Sequence, residues 1–170
     1  MVVLRKLIES DGEAFQRAYE ATAATDSRFA PGFDPDEPFA TYLALLDDFE
    51  RGLRLPENHV PSTMYWALLD DALVGRVMLR HFLNDRLHQT GGNIGYVVVP
   101  AYRGRGIATE MLRLALPFAM QRGLDRVLIT CDETNAASRR VAEKCGGLLE
   151  GTSVVPETGV VQVRYWIALR

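Results

Sequence analysis

Between Val97 and Leu112 the chain reads VVVPAYRGRGIATEML. A β-branched run ends at Pro100, two arginines alternate with two glycines, and an amphipathic pattern starts at once from Ile107. A second buried-strand pattern, DRVLITC, follows that helix. Strand, glycine turn, helix and strand make a crossover unit, which within one sheet is a right-handed parallel connection. The unit calls for a sheet with helices on its faces.

The flanking patterns complete the layout. VVLRKLI alternates enough to open the chain as a strand. Ser10 and Asp11 precede a helical pattern in GEAFQRAYEATAA, and FATYLALLDDFERGL gives a second helix stopping at Gly52. The proline-rich RFAPGFDPDEP between them is a loop. TMYWALLD and LVGRVMLRHFL form a hairpin about Asp70-Asp71, DRLHQTGG is a turn, and NIGYVVVP is the next strand. After DRVLITC, Asn135 caps a helix in NAASRRVAEKCG, and GLLEGTSVV and GVVQVRYWIAL close the chain as strands. Pro117 predicts a kink or an early end in the helix that holds it. The expectation is an α/β fold, a mixed sheet of about seven mostly antiparallel strands with a central parallel pair and about four helices. Its length suits a single domain over residues 1–170.

The hexapeptide RGRGIA, Arg103 to Ala108, is built for an anion. A glycine turn feeding a helix start points unpaired backbone N–H groups one way, and the helix dipole adds partial positive charge. Gly104 and Gly106 let a ligand approach the backbone, and Arg103 and Arg105 offer charge-assisted contacts to phosphate oxygens. A Walker loop is excluded because no Gly-Lys-Ser/Thr occurs in the chain. A dinucleotide fingerprint fails as well, since Gly104-x-Gly106 runs on to Thr109 where Gly or Ala is required.

The net charge of −3 and pI near 5.6 argue against a general nucleic-acid binder. The charge is uneven. Residues 1–60 hold twelve acids against six bases, whereas residues 101–126 hold five arginines against Glu110 and Asp125. Cys131 and Cys145 are too few and too far apart for a zinc knuckle or a disulfide framework, so no metal is expected and reduced thiols in a cytoplasmic protein are. No apolar run suggests a signal peptide or a membrane span.

Arg103, Gly106 and Ala108 match the pattern Arg/Gln-x-x-Gly-x-Gly/Ala. In this the chain resembles the GNAT acetyltransferase superfamily, whose acyl-coenzyme A pyrophosphate motif has that form. DRVLITCDETNAASRRVAEKCGG resembles the strand and helix that follow the motif, and IGYVV and ATEML are similar to stretches of bacterial predicted acetyltransferases. The resemblance covers essentially the whole chain. It implies acetyl-CoA as cosubstrate and direct transfer to an amine of a small molecule or peptide, with a homodimer among the possible assemblies. A non-catalytic acyl-CoA binding module is the alternative.

By resemblance, the amides of Arg105, Gly106, Ile107 and Ala108 would hold the pyrophosphate beside Arg103 and Gly104, with the Thr109 hydroxyl close by. Val97, Val98 and Val99 would pair with the pantetheine arm, the Val99 N–H would stabilise the oxyanion, and Asn135 and Ser138 would border the arm. Asn135 is equally an ordinary N-cap. The superfamily's usual tyrosine acid is replaced here by Ala142, and its usual glutamate base falls in Gly91-Gly92-Asn93. His81, His88, Tyr96 and Tyr165 remain as candidate acids or bases. Cys131 reads as a small buried hydrophobe rather than a nucleophile. Asp26, Asp34, Asp36 and Glu37, in the loop that borders the acceptor pocket in the superfamily, suggest a cationic amine.

Overall fold

The computed structural model describes residues 1–169. Its strands are β1 (Val3–Arg5), β2 (Ser62–Leu69), β3 (Ala72–Arg80), β4 (Ile94–Val98), β5 (Arg126–Asp132), β6 (Leu148–Val154) and β7 (Val161–Ala168). Its helices are α1 (Gly12–Thr22), α2 (Phe39–Arg51), α3 (Asp85–Gln89), α4 (Ile107–Gln121) and α5 (Ala136–Lys144). Every ladder is antiparallel, in two sheets ordered β1-β2-β3-β4 and β5-β7-β6. Asp70 and Asp71 both take positive φ, 49° and 64°, the geometry of a tight hairpin turn with the twist of its strands.

The segment DRLHQTGG, expected as a turn, holds the short helix α3. DRLHQ is a helix because the Asn84 side chain accepts the Leu87 N–H at 2.9 Å, and one capped turn is too short to show a periodicity. The early end expected at Pro117 does not occur, since α4 runs on to Gln121. Proline removes a single backbone bond, and the buried Met111, Leu112, Ala115 and Ala119 keep the helix packed on the sheet.

The central parallel pair is also corrected, for β4 and β5 share no ladder. They are joined only before β4 begins. There the Asn93 N–H donates to Leu128 O at 2.7 Å, and the Asn93 side-chain oxygen accepts the Leu128 N–H at 2.8 Å. Gly92 fits this contact because a Cβ on it would lie 2.3 Å from Leu128 O. Beyond Asn93 the sheets part, and residues of both strands line a cleft.

Two apolar clusters flank this arrangement. One packs α4 and part of α5 against β3, β4, β5 and β7, with Val77, Leu79, Met111, Leu112 and Ile129 buried. The other sets Phe15, Phe29, Tyr42 and Trp66 against Val97 and Val99. Alternate β4 residues serve opposite faces, as a strand requires.

Candidate active site

The phosphate-loop segment follows β4 through a short turn at Pro100–Tyr102. Gly104 and Gly106 hold φ of 74° and 81°, and no atom lies within 4 Å of where either Cβ would stand. The left-handed backbone, rather than crowding, therefore selects glycine. Gly106 is the N-cap of α4, with no side-chain cap bond, and the first helical donor is the Glu110 N–H, to Gly106 O at 3.1 Å. The amides of Ile107, Ala108 and Thr109 precede any helical acceptor. Uncapped amides behind two open glycines fit a pyrophosphate.

The arginines and Thr109 sit differently. Arg103 Nε donates to Val98 O at 3.0 Å, and the Arg105 guanidinium lies 5.7 Å from the centre of the Tyr102 ring. Thr109 is buried, and its carbonyl accepts from Cys145 Sγ.

β4 is an edge strand, and its hydrogen bonds alternate. Arg80 N–H donates to Asn93 O and Val99 N–H to Val74 O, so the odd-numbered residues spend their backbone groups on β3. The backbone groups of Val97 and Val99 are thus taken up by β3, though Val97 still lines the cleft, and the Val99 amide is already engaged. Tyr96 and Val98 direct their backbone groups to the free edge. The Val99 N–H is therefore not free on the cleft side, which the sequence could not show because strand register is invisible until a partner is fixed.

The cleft between β4 and β5 holds about 620 Å³. Tyr96, Cys131, Asn135 and Ser138 line it together. The Tyr96 and Ser138 hydroxyls are hydrogen-bonded at 2.7 Å across it. Burial pushes the Tyr96 phenol up to about 12. Asn135 Oδ1 accepts the Ser138 N–H at 3.0 Å, capping α5. Burial raises the Cys131 thiol as well, which keeps it a poor nucleophile.

The other candidates lie elsewhere. His81 Nε2 pairs with Thr63 Oγ1 at 2.8 Å, and burial and Arg122 push its pKa down. His88 stands beside Trp166 and Arg164. The Tyr165 hydroxyl donates to Glu143 at 2.9 Å inside the first apolar cluster. Asp26 is paired with Arg28, while Asp34 and Glu37 line a separate small recess. Among the described residues the charged ones that line the cleft are Arg28, Arg76, Arg80 and Arg86, with Asp132 the sole carboxylate. The sequence carried a signal for two of them. Arg76 and Arg80 interrupt an apolar strand four residues apart, hence on one face. His59, its Nδ1 at 3.0 Å from Glu57 O, also lines the cleft, and a lone loop histidine carries no signal of this in the sequence.

Residues 2–147 match the family model of the acetyltransferase (GNAT) domain. The chain belongs to the GNAT acetyltransferase family. Among curated relatives, a probable N-acetyltransferase YjcK of Bacillus subtilis is 39% identical over 83 residues, covering 48% of this chain and 45% of that protein. A streptothricin acetyltransferase of Escherichia coli is 27% identical over 111 residues, covering 62% and 61%. The chain thus spans roughly half the length of the curated relatives it matches. Among solved structures, RimL, a ribosomal-protein α-N-acetyltransferase, carries coenzyme A joined by a disulfide to one of its cysteines. It superposes with a TM-score of 0.70 at 18% identity, covering 99% of this chain and 94% of that one. Among the described residues no helix is long and apolar enough to cross a membrane, and no group of three metal-ligating side chains forms.

Proposed function

We propose that this GNAT protein transfers an acetyl group from acetyl-CoA to a primary amine of a small molecule. The observation that carries the reading is the uncapped N-terminus of α4 behind Gly104 and Gly106, set where the free edge of β4 opens into a cleft.

Acetyl-CoA supplies a thioester that an amine attacks directly, with thiolate leaving. The amides of Arg105 to Ala108 hold the pyrophosphate, and Gly104 and the side chains of Arg103 and Arg105 complete its surround. The Tyr96 backbone and the Val98 N–H offer the pantetheine arm a free strand edge, the Val98 carbonyl being held by Arg103, with Asn135 and Ser138 opposite. The Val98 N–H takes the oxyanion role expected of Val99. Tyr96 remains protonated at neutral pH and stands hydrogen-bonded to Ser138, so its hydroxyl is the proton source for the thiolate. Water removes the proton of the amine, since among the described residues the one carboxylate and the one imidazole on the cleft wall, Asp132 and His59, are both exposed. Two free thiols, Cys131 and Cys145, suit a reducing cytoplasm.

Release of free thiol from acetyl-CoA, measured over a panel of amines, tests the reading. Amine-dependent thiol release is the expected result. Coenzyme A binding without release on any amine would favour a non-catalytic acyl-CoA sensor, which Ala142 and Asn93 at the usual acid and base positions would suit.

A further inference from the structure

The cleft is walled by arginines, the opposite of what the acidic N-terminal third suggests. Arg76 and Arg80 stand on one face of β3, Arg86 on α3 and Arg28 on the loop after α1. Arg28 is neutralised by Asp26 at 2.9 Å. Among the described residues no carboxylate lies within 4 Å of the guanidinium of Arg76, Arg80 or Arg86.

The two β3 arginines have separate attachments. Arg76 is buried and donates to the carbonyls of Phe29 (3.2 Å), Gly95 (3.3 Å) and Arg28, tying the loop after α1 to β4. Arg80 uses only Nη1, on Gly91 O at 2.9 Å and Gly92 O at 3.0 Å. Its Nε and Nη2 have no partner among the described residues, and its remaining exposure faces a cleft it lines. Carbonyls satisfy hydrogen bonds but not charge. Arg80 has no carboxylate acting on it, and Arg76 has only Asp26, already paired with Arg28. A cation withdrawn from water without a counter-ion of its own is costly, and two on one strand face repel each other. Desolvation accordingly pushes both guanidinium groups down to about 10. Such a wall is stabilised when an anion enters, and a guanidinium fork matches the two oxygens of a carboxylate or phosphate.

From this arrangement we infer that the amine acceptor carries an anionic group, a carboxylate or a phosphate, which Arg80 binds directly with Arg86 at the rim and Arg76 behind it. The inference rests on the acetyl-transfer reading for the identity of the ligand as acceptor. The anion site itself does not depend on turnover. The arginine wall disfavours a basic peptide as acceptor.

Two measurements test it. The first titrates inorganic phosphate, and separately succinate, into nitrogen-15-labelled protein saturated with coenzyme A, so that the loop at Arg103–Ala108 is already filled. Saturable shifts of the Arg80 and Arg76 Nε–H resonances are expected, weakened at least threefold in affinity by Arg86→Ala and lost in Arg80→Met. The anion giving the tighter curve identifies phosphate or carboxylate as the cognate group. An absence of shifts in the unmodified protein, or shifts that Arg86→Ala leaves unchanged in affinity, would overturn the site, whatever the folding of the Arg80 variant. The second compares matched acceptors, glucosamine 6-phosphate against glucosamine and β-alanine against β-alaninamide, by kcat/KM. The charged member of at least one pair should be preferred, and Arg80→Met should cut that preference about 10- to 100-fold, the scale of one lost charge-assisted contact. Differences in amine basicity cancel in the ratio of wild type to variant. Anion binding without acetyl transfer to any amine would remove the enzymatic reading and leave the site standing. Transfer that favours the neutral member of each pair would overturn the inference that the acceptor carries the anion and leave the enzyme.

Discussion

At the scale of single residues, the chemistry concentrates on Tyr96. Its ring reaches from β4 to the first turn of α5, where its hydroxyl meets Ser138 at 2.7 Å. Burial raises its pKa to about 12, which keeps the proton on the phenol and makes it an acid rather than a base. Tyr96→Phe should therefore lower kcat about 100-fold while KM for acetyl-CoA changes little, read from thiol release. The sign of the pH dependence follows from the same cause. With the pKa raised, the active protonated form persists above the ordinary tyrosine range, so kcat should not fall until the pH approaches 12. An alkaline limb centred between 8 and 9 would assign the proton to another group. Tyr96 was legible in the sequence only as a strand tyrosine, one of two. What separated it from Tyr165 was the partner across the gap, which no local pattern encodes.

At the scale of elements, the loop and its helix were the most legible part of the chain, because glycine spacing and a helix start are local features. Gly106 shows why. Its φ of 81° demands glycine, while the space in front of it is empty, so the residue serves the backbone and whatever approaches it. Gly106→Glu should raise the dissociation constant for coenzyme A at least 100-fold in a calorimetric titration, since it sets a carboxylate against the phosphates and obstructs the amides. The fold should survive. A side chain forced into this conformation costs about 1–2 kcal/mol, which for a chain of this size lowers Tm by roughly 2–8 °C. Unchanged affinity would end the phosphate assignment. The elements the sequence missed were those fixed by tertiary contact. α3 rests on one capping bond from Asn84, and α4 passes Pro117 because its buried face holds it. The arginine wall was legible in principle, as two cations four apart in an apolar strand, but only the position of α3 and of the loop after α1 shows what that face looks onto.

At the scale of the molecule, the decisive feature is that two antiparallel sheets touch at one place and part at the next. Asn93 makes the junction. It is buried, its main chain bonds Leu128 and Arg80, and its side-chain oxygen takes the Leu128 N–H that a strand partner would otherwise accept. The residue standing in the segment of the superfamily's usual base is thus a structural splice, and the asparagine amide imitates one peptide group of a missing ladder. Removing it should act on the cleft as well as on stability. Asn93→Ala leaves the Leu128 N–H buried without an acceptor, at a cost of about 1–3 kcal/mol, which lowers Tm by about 2–12 °C. The main-chain bond from the Asn93 N–H to Leu128 O survives the substitution, so the sheets should loosen rather than separate. Because the cleft opens directly from this point, looser strands should present Tyr96, Val98 and Ser138 less well to the pantetheine arm. KM for acetyl-CoA should then rise severalfold and kcat should fall with it. Asn93→Asp distinguishes the splice from a catalytic role. A carboxylate in this place can still accept from Leu128 but must be buried, so it should cost stability at neutral pH and recover as the pH falls far enough to protonate it. If the residue acted instead as a weak stand-in for the base, Asn93→Asp would raise kcat at neutral pH, and a calorimetric melt beside a thiol-release assay at two pH values separates the outcomes.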